Sequence, residues 1–297
     1  EMLRSLVGSE MCIRDRYEGF EDRQFETEDH VKLHYMVKGK GDPLVFIPGW
    51  SGDSRDFMFN APVLAENYKV YVLDMRGHGY SEAPFHGARI ARLSKDLKEF
   101  IDAHFKTEIN LVAYSMGCTV VWSYIDLFGQ DQFRRLVFVD EPPFLWANPA
   151  DSEEEVLLHG GNRMDLWKLR NAVYEENGDR ETAFGEAFRR GENKNRKEAA
   201  NTISQVVKPP FHKQFLANLL RDHISQDWRD VFPRITVPVL LVSGEIGHAT
   251  THESCEWMQK QMKNCKWTAF TEKDYGTHGL MHNSPELFNS EVLEFLN

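Results

Sequence analysis

The sequence predicts an α/β fold in which a doubly wound, mostly parallel sheet carries helices on both faces. Short, continuous apolar runs recur along the chain, as expected for strands that are buried on both sides of a parallel sheet. These runs lie at 44–47, 70–73, 109–113, 136–139 and 239–242. Between two of them, residues 90–105 place their apolar side chains on one stripe of a helix. Strands that alternate with such helices imply right-handed βαβ crossovers within one sheet.

Further strands are predicted at both ends of this pattern. Alternating character over 23–27 and 31–37, around a turn at 28–30, predicts a hairpin before the first buried strand. A last strand is predicted at 267–270, and a terminal helix begins at Ser284-Pro285. These segments extend the predicted sheet toward both ends of the chain.

Length and composition narrow the class of protein. With 297 residues, 41% of them hydrophobic, the chain suits one large α/β domain with an insertion better than two independent domains. No apolar stretch approaches the roughly 18 residues that cross a bilayer, so we expect no membrane partner. A net charge of -11 without a basic stripe argues against a nucleic-acid partner, and the acidity is interpreted as solubility.

Residues 1–16 are interpreted separately, because the stretch 6–16 looks like a translated sequencing adapter joined to an open reading frame. We exclude this segment from the fold. The remaining cysteines, Cys118, Cys255 and Cys265, show neither CxxC nor Cys/His metal spacing. This pattern favours idle thiols in a reducing, cytoplasmic compartment over a disulfide framework. We expect no metal, and no glycine-rich loop fits an organic cofactor.

An inserted helical cap is predicted between two parts of the core. The alternation of strands and helices stops after Val139 and resumes near Val237, and the intervening residues are charged and helical in pattern. We therefore assign residues 17–141 and 233–297 to the core and residues 142–232 to the cap. Candidate cap helices lie at 152–158, 164–176, 181–190, 197–207 and 211–223.

The most specific motif surrounds Ser115. An apolar strand, 109–113, runs directly into this serine, and a helix is predicted to follow it. Such a nucleophile elbow is a sharp, strained turn, so the residues two before and two after the serine must be small. Ala113 and Gly117 meet that requirement. The pattern predicts a serine hydroxyl that projects above the end of the sheet.

Serine needs a base to become a nucleophile, and His278 is the best candidate. It lies between the predicted last strand and the terminal helix, from where its imidazole can reach the top of the sheet. A histidine there can accept the serine proton and later return it to a leaving group. His282 is the fallback candidate, and a surface position in a loop is the alternative interpretation of His278.

A serine nucleophile also needs an oxyanion hole, made by two backbone N–H groups. Met116, the residue after the serine, is predicted to supply the first of them. Trp50 is the candidate for the second, because it follows the strand 44–47 and Gly49 permits close backbone approach. Pro48 has no N–H and cannot serve. The indole of Trp50 either walls the substrate site or packs in the core.

Taken in this order, the elbow, the oxyanion segment and the histidine resemble the α/β-hydrolase family across residues 17–297. The segment 74–81, with the sequence DMRGHGYS, is similar to the turn that follows the fourth strand of that family. The resemblance implies the fold of the family and serine hydrolase chemistry. It assigns no catalytic role to His78, whose flanking glycines suit a tight structural loop.

The orienting acid is where the chain departs from the family pattern. The resemblance implies an aspartate after the seventh strand, but the segment 243–248 has none. Some family members place the acid after the sixth strand, where this chain has Asp140 and Glu141. Asp140 is therefore the first candidate, Glu141 the second and Glu245 the third. A carboxylate in any of these positions would orient the histidine and stabilise its cation.

The predicted function is hydrolysis of a carboxylic ester or lactone of a small, largely apolar substrate, through an acyl-enzyme on Ser115. Carbon–carbon bond hydrolysis uses the same parts. A cofactor-independent dioxygenase is the alternative, because the segment 48–50 (PGW) and an acid after the sixth strand resemble such enzymes of this family. Those enzymes carry a histidine soon after the tryptophan, where this chain has SGD at 51–53.

Two weaker hypotheses complete the functional prediction. A haloperoxidase-like or perhydrolase side activity is one, because such relatives share the serine, histidine and acid. A binding protein on a hydrolase scaffold is the other, since a fold alone does not imply an activity. The intact elbow and histidine argue against a pure binder. The sequence carries no signal for oligomeric state.

Overall fold

Eight strands form one sheet in the part of the chain that the structure describes. The computed structural model describes residues 17–145, 212–246 and 249–297, together with residues 152 and 171. The strands are β1 (Glu21–Glu26), β2 (Lys32–Lys38), β3 (Pro43–Ile47), β4 (Lys69–Leu73), β5 (Ile109–Tyr114), β6 (Phe133–Val139), β7 (Val239–Gly244) and β8 (Cys265–Phe270). Their order in the sheet is β1-β2-β4-β3-β5-β6-β7-β8.

The sheet is mostly parallel, which confirms the predicted fold class. The predicted hairpin corresponds to β1 and β2, and β2 pairs antiparallel with β4. All pairings from β4 to β8 are parallel. Because β4 and β5 lie on opposite sides of β3, the direction of winding reverses at β3. Ligands of open α/β sheets bind at the carboxyl ends of the strands near such a reversal.

The strand registers bring three strand ends side by side. Ile47 of β3 pairs with Ala113 of β5, and Tyr114 of β5 pairs with Val139 of β6. Val139 also pairs with Val242 of β7. The residues that follow β3, β5 and β6 therefore meet at one edge of the sheet.

Helices cover both faces of the sheet. They are α1 (Ala61–Leu64), α2 (Ile90–His104), α3 (Met116–Phe128), α4 (Lys213–His223), α5 (His252–Gln261), α6 (Leu280–Asn283) and α7 (Pro285–Leu296). Short 3-10 helices lie at Ser54–Phe57 and Phe232–Arg234. Helices α2 to α5 bury side chains in one hydrophobic cluster, and α1, α6 and α7 do so in a second cluster.

Burial in the sheet follows the alternation of the strands. In β3, Val45 and Ile47 belong to the first cluster, whereas Leu44 and Phe46 belong to the second. All four side chains are fully buried, as predicted for a strand that is covered on both faces. The apolar stripe predicted over 90–105 is likewise buried, in α2.

Helix α4 corresponds to the last predicted cap helix, 211–223, and it packs on the core. Phe215 and Leu216 are buried in the same cluster as the side chains of α2 and α3. The Ile90 N–H at the start of α2 donates to Asp222 Oδ2 over 2.9 Å. Helix α4 therefore packs against the helices that cover one face of the sheet.

The other four candidate cap helices lie outside the described residues, apart from residues 152 and 171, and so do residues 1–16. The assignment of residues 142–232 to a cap stays a prediction. Within the described ranges, no helix combines the length and apolarity that crossing a bilayer requires.

Candidate active site

Ser115 occupies a strained turn between β5 and α3. Its backbone has φ 50° and ψ -130°, a positive φ that costs free energy for a residue other than glycine. The turn is held by hydrogen bonds on both sides: the Ser115 N–H donates to the Val139 carbonyl over 2.8 Å, and the Cys118 N–H donates to the Ser115 carbonyl over 2.7 Å. The surrounding structure therefore maintains a conformation that serine alone disfavours.

Two glycines allow the backbone to close tightly around this turn. A Cβ on Gly117 would lie 2.7 Å from the carbonyl oxygens of both Ile47 and Pro48. A Cβ on Gly49 would lie 3.0 Å from the Cβ of Ser115. The start of α3 thus packs directly against the segment that follows β3, which explains why the sequence requires a small residue two positions after the serine.

His278 reaches Ser115 from the loop that follows β8. Its Nε2 lies 3.1 Å from Ser115 Oγ, and its side chain is buried. The Tyr114 ring packs on the imidazole, with 5.0 Å between the ring centroids. The loop itself is held by Thr277, whose Oγ1 accepts hydrogen bonds from Asn283 Nδ2 over 2.6 Å and from the Gly279 N–H over 3.2 Å.

Asp140 lies on the other side of the imidazole, at the end of β6. Its Oδ2 is 2.7 Å from His278 Nδ1. The Ala249 and Thr250 N–H groups donate to the two carboxylate oxygens over 3.0 and 3.3 Å. Because a carboxylate only accepts hydrogen bonds, Nδ1 of a neutral imidazole carries the proton and Nε2 is left to accept from the Ser115 hydroxyl. The three side chains form one continuous hydrogen-bonded chain.

The other candidate residues make contacts with different partners. Glu141 is buried with its Oε1 3.2 Å from His223 Nε2. Glu245 is exposed, and its backbone N–H donates to the Phe270 carbonyl over 2.9 Å. His282 donates from Nε2 to the Asp56 backbone carbonyl. Among the described residues, Asp140 is the one candidate acid that contacts His278.

The two candidate oxyanion donors lie on adjoining segments. Met116 is the first residue of α3, where a backbone N–H has no partner within the helix and the helix dipole favours negative charge. Trp50 lies in the turn that follows β3, closed by a 3.1 Å hydrogen bond from the Gly52 N–H to the Gly49 carbonyl. The Trp50 indole is buried and its Nε1 donates to the Leu216 carbonyl of α4 over 2.8 Å.

His78 is a buried residue of the turn that follows β4. Its Nδ1 lies 3.0 Å from the Arg76 carbonyl oxygen, and burial lowers the pKa of His78 to about 4. The turn is built around Asp74, whose carboxylate accepts from the Ser54 and Tyr80 N–H groups over 2.6 and 3.0 Å. His78 therefore contributes to the structure of this turn.

Several groups at the site could not be found from sequence patterns, because they are backbone atoms. The N–H groups of Ala249 and Thr250 and the carbonyl of Leu216 act through the main chain, so their side chains carry no signal. Among the described residues, no three His, Cys, Asp or Glu side chains are grouped as a metal site would require.

The comparisons with known proteins identify the family. A family model described as the alpha/beta hydrolase fold matches residues 42–277, which is most of the chain. The chain therefore belongs to the α/β-hydrolase family, and it is an enzyme of the hydrolase class.

Relatives of known name are similar over nearly their whole length. A non-heme chloroperoxidase, CPO-A1, of Kitasatospora aureofaciens is 26% identical over 290 residues, which cover 91% of this chain and 98% of the relative. A pimeloyl-acyl-carrier protein methyl ester esterase of Vibrio vulnificus is 24% identical over 264 residues, which cover 89% and 97%. The solved structure of an esterase from Exiguobacterium antarcticum matches with a TM-score of 0.77 at 20% identity, covering 93% of this chain and 99% of that one.

Proposed function

We propose that this protein is a serine hydrolase that cleaves a carboxylic ester or lactone of a small, largely apolar substrate through an acyl-enzyme. The observation that carries this proposal is the continuous chain from Ser115 Oγ through His278 to Asp140, with distances of 3.1 and 2.7 Å. The Tyr114 ring, which packs on the His278 imidazole, favours an apolar acyl or alcohol group.

Acylation begins when His278 Nε2 accepts the Ser115 proton while Oγ attacks the substrate carbonyl carbon. The carbonyl oxygen becomes an oxyanion, which the N–H groups of Met116 and Trp50 stabilise. Asp140 holds the imidazole in the reactive tautomer and stabilises the imidazolium that forms. The imidazolium then returns the proton to the leaving alkoxide, and the acyl group stays on Oγ.

Deacylation repeats these steps with water as the nucleophile. His278 Nε2 accepts a proton from water, and the hydroxide attacks the acyl carbon against the same two N–H groups. Collapse of the second tetrahedral intermediate releases the carboxylic acid and returns the proton to Ser115 Oγ. For a lactone, the alcohol and the acid remain in one product molecule.

The proposal is tested with a panel of short and medium acyl p-nitrophenyl esters and lactones, together with titration by a fluorophosphonate. We expect ester turnover, labelling of Ser115, and a loss on the order of 10⁶ in kcat in Ser115→Ala if the three residues act as a unit. Robust ester turnover in Ser115→Ala contradicts the acyl-enzyme mechanism.

A cofactor-independent dioxygenase is the second candidate, and the position of Asp140 after β6 favours it. In such an enzyme the imidazole deprotonates the substrate, which then reacts with oxygen, and no acyl-enzyme forms. The Ser115→Ala variant separates the two candidates, because a dioxygenase retains substantial oxygen uptake without the serine hydroxyl. The segment SGD at 51–53, in place of a histidine, disfavours this candidate.

The similarity to a chloroperoxidase favours a side activity on the same serine. Hydrogen peroxide would take the place of water in deacylation, attack the acyl carbon and leave as a peracid, with one proton returned to Ser115. Peracid formation from acetate and peroxide, measured in wild type and Ser115→Ala, tests this activity. Equal rates in the two proteins contradict it.

A further inference from the structure

The carboxyl group of Asp56 lies against the turn that carries Trp50. A Cβ built on Gly52 would be 1.9 Å from Asp56 Oδ2 and 3.0 Å from Cγ, so the carboxyl group packs directly against Gly52. The Gly49 N–H lies near the same carboxyl group and lowers its pKa. Asp56 therefore contacts both ends of the turn 49–52.

The backbone of Asp56 ties this turn to the neighbouring elements. Its N–H donates to the Asp53 carbonyl over 2.8 Å, and its carbonyl accepts from Nε2 of His282. His282 lies in α6, four residues after His278. Asp56 thus lies between the oxyanion segment and the loop that carries the candidate base.

The charged groups around Asp56 are paired with one another rather than with its carboxyl group. Asp53 pairs with Arg55, which donates to it from Nε over 2.6 Å. Asp74 pairs with His34, whose Nδ1 lies 2.8 Å from Asp74 Oδ2. Asp56 is half-buried as a residue, yet its Oδ2 is buried and has no hydrogen-bond partner among the described residues.

These surroundings favour the neutral form of the carboxyl group. Burial, followed by the negative charges of Asp53 and Asp74, raises the pKa of Asp56 to about 8, against the opposing effects of Arg55 and the Gly49 N–H. The phenol of Tyr17 is also buried near these carboxyl groups, and its pKa is raised by burial and by their charges. The carboxyl group of Asp56 is therefore harder to ionise than that of an exposed aspartate.

We propose that Asp56 is a positioning residue whose carboxyl group, packed against Gly52, holds the turn 49–52 so that the Trp50 N–H faces the developing oxyanion, and that a negative charge on this group disables the donor. The proposal rests on the proposed function, because it assumes that Trp50 belongs to an oxyanion hole.

Ionisation acts on the transition state more than on the bound substrate. A carboxylate beneath the turn places one negative charge close to the point where a second one develops, and the two repel in a poorly solvated site. A buried carboxylate with an unpaired oxygen also draws in water or a new partner, which moves the turn. The expected effect is a fall in kcat with little change in KM.

The test is the pH dependence of kcat between pH 6 and 10 on a p-nitrophenyl acyl ester, with the rate of Ser115→Ala subtracted. We expect wild-type kcat to fall about tenfold for each pH unit above the pKa of the essential acid. Asp56→Asn keeps an uncharged group of the same shape, so its kcat is lower at pH 7 but lacks the alkaline fall. Asp53→Asn removes a charge that raises the pKa of Asp56, so its alkaline fall begins at lower pH.

Fluorophosphonate titration of each variant separates the two proposals. No labelling of Ser115 in the wild type contradicts the serine hydrolase. Normal labelling together with a wild-type alkaline fall in Asp56→Asn, or an unmoved fall in Asp53→Asn, overturns the role of Asp56 alone. Loss of the fall in Asp56→Asn, with its shift in Asp53→Asn, supports that role.

Discussion

Two pairs of an acid and a histidine begin at neighbouring residues after β6, and each histidine lies next to a hydroxyl group. Asp140 and His278 lead to Ser115 over 2.7 and 3.1 Å. Glu141 and His223 lead to Thr119 over 3.2 and 3.4 Å. Each set consists of a carboxyl group, an imidazole and a hydroxyl group, so the kinds of functional group do not distinguish the two sets.

The difference lies in the backbone around each hydroxyl. Ser115 is in a strained turn, beside the N–H groups at the start of α3. Thr119 lies within α3, where its Oγ1 donates to the Met116 carbonyl over 2.8 Å. That hydroxyl proton satisfies a helix carbonyl, and no strained turn exposes the oxygen. The two hydroxyl groups therefore differ in their backbone setting, although each of them lies next to an imidazole.

The carboxylates differ as well. Backbone N–H groups of Ala249 and Thr250 donate to both oxygens of Asp140, which fixes the position of the carboxylate. Glu141 Oε1 is buried without a hydrogen bond among the described residues. The first carboxylate is preorganised, whereas the second is held by a looser contact between α4 and the end of β6.

The largest expected effect separates the two histidines. His278→Ala removes the base and should lower kcat by about 10⁶ if the residues act as a unit. His223→Ala should lower kcat by less than about tenfold, because it leaves the elbow and Asp140 in place. Both variants are assayed with the same p-nitrophenyl ester. A comparable loss in the two variants contradicts the distinction between the pairs.

The next effect separates the candidate acids. Asp140→Asn leaves an amide that stabilises the wrong imidazole tautomer, and we expect kcat to fall by about 10⁴. Glu141→Gln and Glu245→Gln conserve shape at positions away from His278, so their kcat should stay within about tenfold of wild type. If Glu245→Gln is the most impaired of the three, the orienting role belongs to the loop after β7.

The second pair should matter for stability. Glu141→Ala removes one member of a buried polar contact and leaves His223 Nε2 without the carboxylate, which should cost about 1–3 kcal/mol in the free energy of unfolding. Denaturant titrations of Glu141→Ala, His223→Ala and the double variant measure the coupling. Additive losses, with no coupling between the two residues, contradict a stabilising contact.

A third pair of an acid and a histidine, Asp74 and His34, should make the free energy of unfolding depend on pH. This is the smallest of the expected effects. Burial lowers the pKa of His34, but hydrogen bonds and charges from Asp74 and Asp22 outweigh it and raise the pKa to about 9. The pKa of His34 is higher in the folded than in the unfolded protein, so its contacts with the two carboxylates add to the free energy of unfolding. This contribution is fully present below about pH 6.5. It is lost as pH rises to about 9.

His34→Gln should therefore be less stable than wild type by on the order of 1 kcal/mol at pH 6, with allowance for screening at the exposed Asp22. The gap should shrink as pH approaches 9.5. Urea denaturation at both pH values measures it. A gap that widens with pH contradicts the assigned direction of the pKa shift.

The parts of the site that are contiguous in the chain were predictable. The elbow around Ser115 is a local pattern of a buried strand, small residues and a helix, and the same holds for the glycine turn before Trp50. The strands were predictable because parallel sheets bury continuous apolar runs. The helix α2 was predictable from its single apolar stripe.

The acid was left among three candidates, since Asp140, Glu141 and Glu245 all follow strands that end at the same edge. Asp140 and Glu141 are neighbours in the chain, and their side chains diverge to different histidines. The left-handed backbone of Asp140, with φ 48°, and the bonds from residues 249 and 250 direct its carboxylate to His278. These contacts join residues about a hundred positions apart, and no local pattern encodes them.

The sequence determined the features that depend on local interactions, and the tertiary structure decided those that depend on contacts between distant segments. Propensity, periodicity and turn chemistry act over a few residues. The positions of the strands along the chain, the elbow and the family could therefore be predicted from the sequence. Which carboxylate meets which imidazole depends on how β6, β7 and the loop after β8 converge. The same is true of the buried carboxyl group beneath the Trp50 turn, because burial and charge around Asp56 arise only when distant segments pack together.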